Sequence, residues 1–572
     1  MDDLVIRNAR VVDGTGAPPY PADVAVTGGR ITAVDPGAGP GRRTVDADGA
    51  LLTPGFVDIH THYDGQATWD PILAPSSWHG VTTAVMGNCG VGFAPARPDR
   101  HAWLIGLMEG VEDIPGSALA EGITWEWESF PEFLDALERT PRTMDLGAQV
   151  PHGAVRAYVM GERGARNEPA TADDIAAMKA IVKEGVAAGA LGFTTSRTLA
   201  HRAIDGEPVP GTYAAEDELF GIGEALRELD AGVYEIAPVG AAGEDVNSPP
   251  DEVRWMRRLA EAIGRPVSFA LLQVDAAPDL WRELMRLSAG TDARLYPQVA
   301  GRPFGMLIGL ETLHAFGDHP TYVSELALRP LPERVARMRD PDVRARILAE
   351  RPPQEDLLAA MVRGCLDRLF PLDGDRPDYE PAPDDSVAAR AAATGRDPLE
   401  MLYDLLLEDD GRNLLLLPLL NYSERSLDPV REMLTHPRAV LGLGDGGAHC
   451  GFICDASLPT TMLSHWARDR RRGEKLPLEH VVRLMTRDTA RLYGLEDRGV
   501  IAPGKKADLN LIDFDRVANR RPEMLYDLPA GGRRLVQRAD GYLATFVSGT
   551  QVFADGEHTG ELPGRLVRGA RP

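Results

Sequence analysis

An α/β fold, a (β/α)8 TIM barrel carrying a small discontinuous β-sandwich domain, is predicted for this 572-residue chain by three observations. Eight short apolar stretches alternate with helical ones through the middle of the chain, the pattern of parallel strands joined by helices. The two ends share another texture, of short alternating strands broken by turn residues. The side chains with metal-binding or acid–base chemistry fall at or near the C-terminal ends of the eight stretches, where such barrels keep their sites.

The elements follow in order. Residues 3 to 50 contain "LVIRNARVVDGTG", "ADVAVTGGRITAVDPG" and "RTVDADGALLTPG", and a kindred texture returns in "GKKADLNLIDFD" and "YLATFVSGTQVFADGEHTG". Matching ends imply that residues 1–52 and 498–572 pair into one β-sandwich domain. Between them, residues 53–497 form the expected barrel. Its strands are "GFVDIHTH", "TTAVMGNC", "DLGAQVPH", "ALGFTTSR", "GVYEIAP", "PVSFALLQ", "RLYPQVA" and "AVLGLGDG". Helical segments such as "ATADDIAAMKAIVKEGVAAG" and "DEVRWMRRLAEAIG" separate several of them. Two insertions, near 103–144 and 301–438, break the repeat. Loops of that length shape a pocket or make oligomer contacts.

Composition narrows the class. Lys+Arg 61 against Asp+Glu 86 leaves a net charge of −25, which argues against nucleic acid or an anionic membrane as partner. Four cysteines are too few for a disulfide framework. The start "MDDLVIRNARVVDG" lacks a secretory signal, and no run of about 18 apolar residues could span a bilayer. A soluble, cytoplasmic protein with a small-molecule substrate is expected, and a homo-oligomer is compatible with the long insertions.

The chemistry begins with "FVDIHTH". Residues i and i+2 of a strand point to one side, so His60 and His62 aim together and can hold one cation. Cys89, in "GNCG" at the end of the next strand, would as thiolate be a soft ligand suited to zinc, or else a small buried hydrophobe. Asp445, in "LGLGDGGAH" after the last strand, could supply an oxygen ligand and a general base.

"PGFVDIHTHYD", "GNCG" followed by "FAP", "MEGVED", "LGLGDGGAH" and "RGVIAPGKKADLNLID" resemble the amidohydrolase superfamily, and within it the N-acyl-D-amino-acid deacylase (D-aminoacylase) group. The resemblance covers nearly the whole chain. It implies a distorted TIM barrel plus β-sandwich, with zinc assisting attack of water on a C–N bond. It also implies a cysteine rather than a carboxylated lysine at the metal, and strand four, ending "TTSR", has no lysine.

The departure lies at strands five and six. The group carries one histidine after each, both binding a second metal position, but "GVYEIAPVG" and "PVSFALLQ" contain none; Ala237 and Leu271 register there. A single zinc per chain, held by His60, His62, Cys89 and Asp445, is what survives, with Asp445 as general base. Glu235, which shares strand parity with Ala237, and His449 are candidates for metal binding or acid–base work. His152, in "VPHGAVR", is a candidate substrate contact. So is Tyr296, which matches a tyrosine that the group uses near its substrate carboxylate. His201, His314, His319, His436, His465, His480 and His558 are read as structural or loop residues, and "CGFIC" as packing.

Three functions remain in play: an amide hydrolase of the deacylase type; a related barrel enzyme running deamination, lyase or cyclic-amide-opening chemistry; and a metal-degenerate binding protein.

Overall fold

A computed structural model describes residues 1–289 and 293–569. Five N-terminal strands, β1 (Leu4–Val11), β2 (Tyr20–Thr27), β3 (Arg30–Asp35), β4 (Arg43–Asp46) and β5 (Leu51–Pro54), come first. They are followed by β6 (Phe56–Asp58), β7 (Val81–Met86), β8 (Asp145–Ala148), β9 (Val150–Pro151) and β10 (Gly192–Ser196). Next come β11 (Val233–Ala237), β12 (Val267–Ala270) and β13 (Leu295–Val299). After these lie β14 (Phe304–Ile308), β15 (Phe370–Pro371), β16 (Leu415–Leu420) and β17 (Val440–Leu441). The chain closes with β18 (Leu509–Ile512), β19 (Ala518–Leu528), β20 (Gly532–Asp540), β21 (Tyr542–Val547), β22 (Thr550–Ala554) and β23 (Glu557–His558).

The eight expected central strands are all extended and pair in parallel, in two ladders. One runs β6–β7–β8 and the other β17–β13–β12–β11–β10–β9. They are almost wholly buried: β7, β10 and β11 expose none of their residues, as strands covered on both faces must be. The expected single closed ladder is not what the hydrogen bonds record. "DLGAQVP" splits at Gln149, whose amide donates to the Met86 carbonyl while β9 pairs only with β10. At the other seam, Thr61 bridges Gly446 in parallel beyond the ends of β6 and β17.

Helices cover these ladders where the sequence places them. Ala172–Ala188 begins with a reciprocal Thr171–Asp174 capping box, and Phe130–Arg139 with Ser129–Glu132. Each such box satisfies two backbone amides that the first helical turn leaves unpaired.

Both chain ends enter one mixed sheet, β23–β22–β21–β18–β5–β1–β2–β3, with β4 on β1. Leu4, Ile6, Val24, Leu52, Leu509, Leu511 and Phe546 pack on it in one apolar cluster. Strands from both ends thus share a single nine-stranded ladder. The β19–β20 hairpin stands apart as its own ladder and leans on the helix Leu458–Thr461. The second insertion has an antiparallel sheet β14–β16–β15 and a separate core that includes Phe316, Met338, Ile347, Leu402 and Leu415. Among the described residues, no helix is long and apolar enough to cross a membrane.

Candidate metal centre

The strand β6 ends at Asp58, earlier than "GFVDIHTH" suggests, yet the chain continues between two neighbours. The Thr61 amide donates to the Val85 carbonyl, and the His62 amide to the Gly446 carbonyl. Extended backbone is thus kept without a formal strand, and His60 and His62 stay on one side with ring centroids 5.5 Å apart.

Cys89 arrives by a different device. In "GNCG" the residues Gly87, Cys89 and Gly90 all have positive φ, 83°, 56° and 71°. A side chain at Gly87 would lie 2.4 Å from the Gln149 carbonyl oxygen, so only glycine allows this turn. The turn lifts the thiol over the ladder, placing Sγ 3.3 Å from His60 Nε2. Asp445 and His449 also hold left-handed backbone, at φ 46° and 56°. Such conformations cost free energy and gather at functional sites.

His60, His62 and Cys89 offer donor atoms that all lie within 4.8 Å of one another, and each is buried. One oxygen of Asp445 sits 3.5 Å from His60 Nε2 and 3.8 Å from His62 Nε2. Three of the four expected ligands form one donor group, and Asp445 lies beside its two imidazoles. The far nitrogen of His60 is held from behind, Nδ1 lying 2.9 Å from the Gln298 side-chain oxygen, whereas His62 Nδ1 faces a Glu112 oxygen at 3.3 Å without a hydrogen bond between them. A ring that donates its Nδ1–H to an oxygen keeps the lone pair of Nε2 free for a cation.

Neither Gln298 nor Glu112 was singled out from the sequence. Glu112 lies in "MEGVED", already part of the resemblance, and Gln298 shares strand parity with Tyr296. Those were the available signals.

The electrostatics suit a cation. Burial pushes the Cys89 thiol and the Asp445 and Glu112 carboxyls well above their ordinary ranges, and the neighbouring acids push the same way. Burial also lowers His60 to about 4 and His62 further. Buried acids and neutral imidazoles gathered with no Lys or Arg acting on them among the described residues are what a divalent ion would neutralise. The donor set of two imidazoles, a thiolate and a carboxylate is one that zinc accepts, so the residues present fit the ion.

Glu235 is fully buried on β11. One of its oxygens accepts the Cys89 amide at 3.0 Å, while the other lies 4.0 Å from His60 Nδ1 and has no hydrogen-bond partner. It thus stands behind His60 and under Cys89, and burial raises its carboxyl to about 8. His449 Nε2 is 3.8 Å from both Glu112 and Asp445, at the rim of the cluster. At the positions registered for second-metal histidines, Ala237 and Leu271 are buried in the apolar core.

The structure does not bring His152 or Tyr296 into the cluster. Both nitrogens of His152 are engaged, Nδ1 with Thr195 at 2.8 Å and Nε2 with Glu218 at 2.9 Å. Tyr296 lies two residues before Gln298 and packs against Val57, Val85, Val233 and Val440, deeper between the ladders. Cys450 and Cys454 are buried free cysteines.

The D-aminoacylase of Alcaligenes xylosoxydans xylosoxydans is 27% identical over 576 residues, which span 99% of this chain and 97% of the relative. A solved D-aminoacylase, studied for one-metal activation and second-metal attenuation of its binuclear centre, aligns with a TM-score of 0.65 at 24% identity. That alignment covers 99% of this chain and 100% of the other. The N-acyl-D-glutamate deacylase of Bordetella bronchiseptica was solved with zinc and a phosphonate mimic of the tetrahedral intermediate. It aligns with a TM-score of 0.62 at 23% identity, covering 99% of each chain. The model of the amidohydrolase family matches residues 43–553. The chain belongs to that family and is a metal-dependent hydrolase of carbon–nitrogen bonds other than peptide bonds.

Proposed function

We propose that the protein is a mononuclear, zinc-dependent deacylase of N-acyl-D-amino acids. In this reading the two parallel ladders are one distorted (β/α)8 barrel spanning residues 53–497, and residues 1–52 and 498–572 form the attached β domain. The observation that supports the proposal is the donor group of His60, His62 and Cys89 with Asp445 3.5 Å from His60, together with a deacylase relative aligned end to end.

His60, His62 and Cys89 would hold the zinc, and Asp445 would share its position with water. When bound, zinc supplies the Lewis acidity that makes water nucleophilic near neutral pH. Asp445 takes the proton from the attacking water and returns it to the leaving nitrogen as the C–N bond breaks. Gln298 fixes the His60 imidazole, Glu112 faces His62 Nδ1, and Glu235 fixes the Cys89 turn through its amide. His449 stands beside Asp445, its Nε2 3.8 Å from the carboxylate. A small-molecule substrate and a cytoplasmic location go with this reading.

The test is metal content measured beside a substrate panel. Zinc-replete protein is expected to hold about one zinc per chain and to hydrolyse N-acyl-D-amino acids in preference to N-acyl-L-amino acids and cyclic amides. Activity confined to cyclic amides, or two zinc ions per chain, would overturn it.

A further inference from the structure

His201 was read from the sequence as a loop residue, yet its surroundings are built with care. It follows β10, whose last residue, Ser196, pairs across the ladder with Ala237. The Ser196 hydroxyl, wholly buried, is 2.9 Å from His201 Nδ1. His201 Nε2 has no hydrogen-bond partner among the described residues.

The loop carrying His201 is anchored on three sides. Glu244, beyond the end of β11, accepts from the Thr198 hydroxyl at 2.5 Å and from the Leu199 amide at 3.2 Å. Arg197 forks onto Glu252 at 2.9 and 3.2 Å. The Ile204 amide donates to the Gly106 carbonyl at 3.2 Å, on the helix His101–Glu112 that carries Glu112 into the metal cluster. Ser196 in turn packs on Gly90, the neighbour of Cys89: a Cβ added at Gly90 would lie 2.8 Å from the Ser196 amide nitrogen. His201 is thus tied, through Ser196, to the strand end where Ala237 offers no ligand.

On the deacylase reading above, we propose that His201 is a further catalytic residue, donating a hydrogen bond from Nε2–H to the carbonyl oxygen of the scissile amide. With Ser196 holding Nδ1, a neutral imidazole presents one N–H donor, the requirement for stabilising an oxygen that gains negative charge as water adds. No net proton transfer is involved: the bond strengthens as the carbonyl becomes tetrahedral and weakens as the C–N bond breaks. The donor supplies on this side some of the polarisation that a second ion would otherwise give.

His201→Ala, His201→Gln and Ser196→Ala are compared with wild type on N-acetyl derivatives of D-alanine, D-leucine and D-aspartate. Zinc content and calorimetric binding of a methylphosphonyl analogue of the best substrate are measured in parallel. His201→Ala is expected to lower kcat on the order of 100-fold with KM little changed, zinc unchanged and the analogue bound correspondingly more weakly. His201→Gln, whose amide N–H reaches a similar point, recovers part of both losses, and Ser196→Ala gives a smaller loss. A kcat and an analogue affinity within threefold of wild type in His201→Ala would overturn the proposal while leaving the deacylase reading intact. Loss of zinc from either His201 variant would overturn it too, by making His201 a ligand. Wild-type protein that hydrolyses none of the panel would instead defeat the deacylase reading.

Discussion

His60 and His152 are both fully buried histidines at the ends of parallel strands, and they differ in how their nitrogens are used. His152 spends both, one on Thr195 and one on Glu218. His60 has one nitrogen held by Gln298, while the other faces a thiol and a carboxylate. A satisfied ring is scaffolding. A ring pinned on one side and offered on the other is prepared for a ligand, because the pin fixes both tautomer and direction. His201 falls in the second class, pinned by Ser196.

The contrast can be broken first at the offered side of His60. Asp445→Asn keeps an oxygen near the two imidazoles but loses the base. Turnover is expected to fall by about 1000-fold or more, while most zinc stays bound. Normal turnover in that variant would end the general-base role.

A smaller effect is expected at the pinned side. Gln298→Ala frees His60 Nδ1, and zinc affinity should fall by about 10- to 100-fold in competition with a chelator. Glu112→Gln should act in the same sense through His62. Unchanged affinity in both would show that the pins do not prepare the ligands.

The least effect on the metal is expected at His152. Its partner Glu218 is held down to about 2, against an ordinary 4.5, by hydrogen bonds and charge from His152 and Arg156 that outweigh the opposing effect of burial. The folded state therefore keeps this carboxylate ionised where the unfolded chain would protonate it. Stability from the group is present above about 4.5 and is lost as pH falls toward 2. Glu218→Gln should remove that part of the acid sensitivity. It should also cost roughly 3 kcal/mol at neutral pH by leaving Arg156 buried without its countercharge. Zinc content should not change. Urea unfolding between pH 3 and 7 with parallel metal analysis checks all three.

The candidate ligands were legible because their chemistry is rare. Few residue types bind a soft divalent ion, and His60, His62, Cys89 and Asp445 each close a strand whose apolar run is visible in one dimension. The absence of donors at Ala237 and Leu271 was legible for the same reason. Gln298 was not, because it meets His60 across 238 residues of chain and a glutamine on a strand has no distinctive pattern. Glu112 was hidden inside an insertion, and His201 in a loop whose path depends on Glu244, Glu252 and Gly106. The central strands were readable from their continuous burial. The break at Gln149 was not, since it turns on one amide choosing Met86. Pairing of the chain ends followed from their shared alternation, but the number of strands in one ladder depends on register, which alternation leaves undetermined.

The second insertion is sewn to the loop that bears Asp445. Arg302, just before β14, binds Asp455 at 2.9 Å and Ser457 at 2.8 Å, and the Leu307 amide donates to the Phe452 carbonyl. Ile453 belongs to the insertion's own core. Transplanting that lobe from a relative to change substrate preference would therefore also re-aim Asp445, the proposed proton acceptor. New selectivity in such a chimera would come with altered chemistry unless the stretch from 445 to 457 travels with the graft.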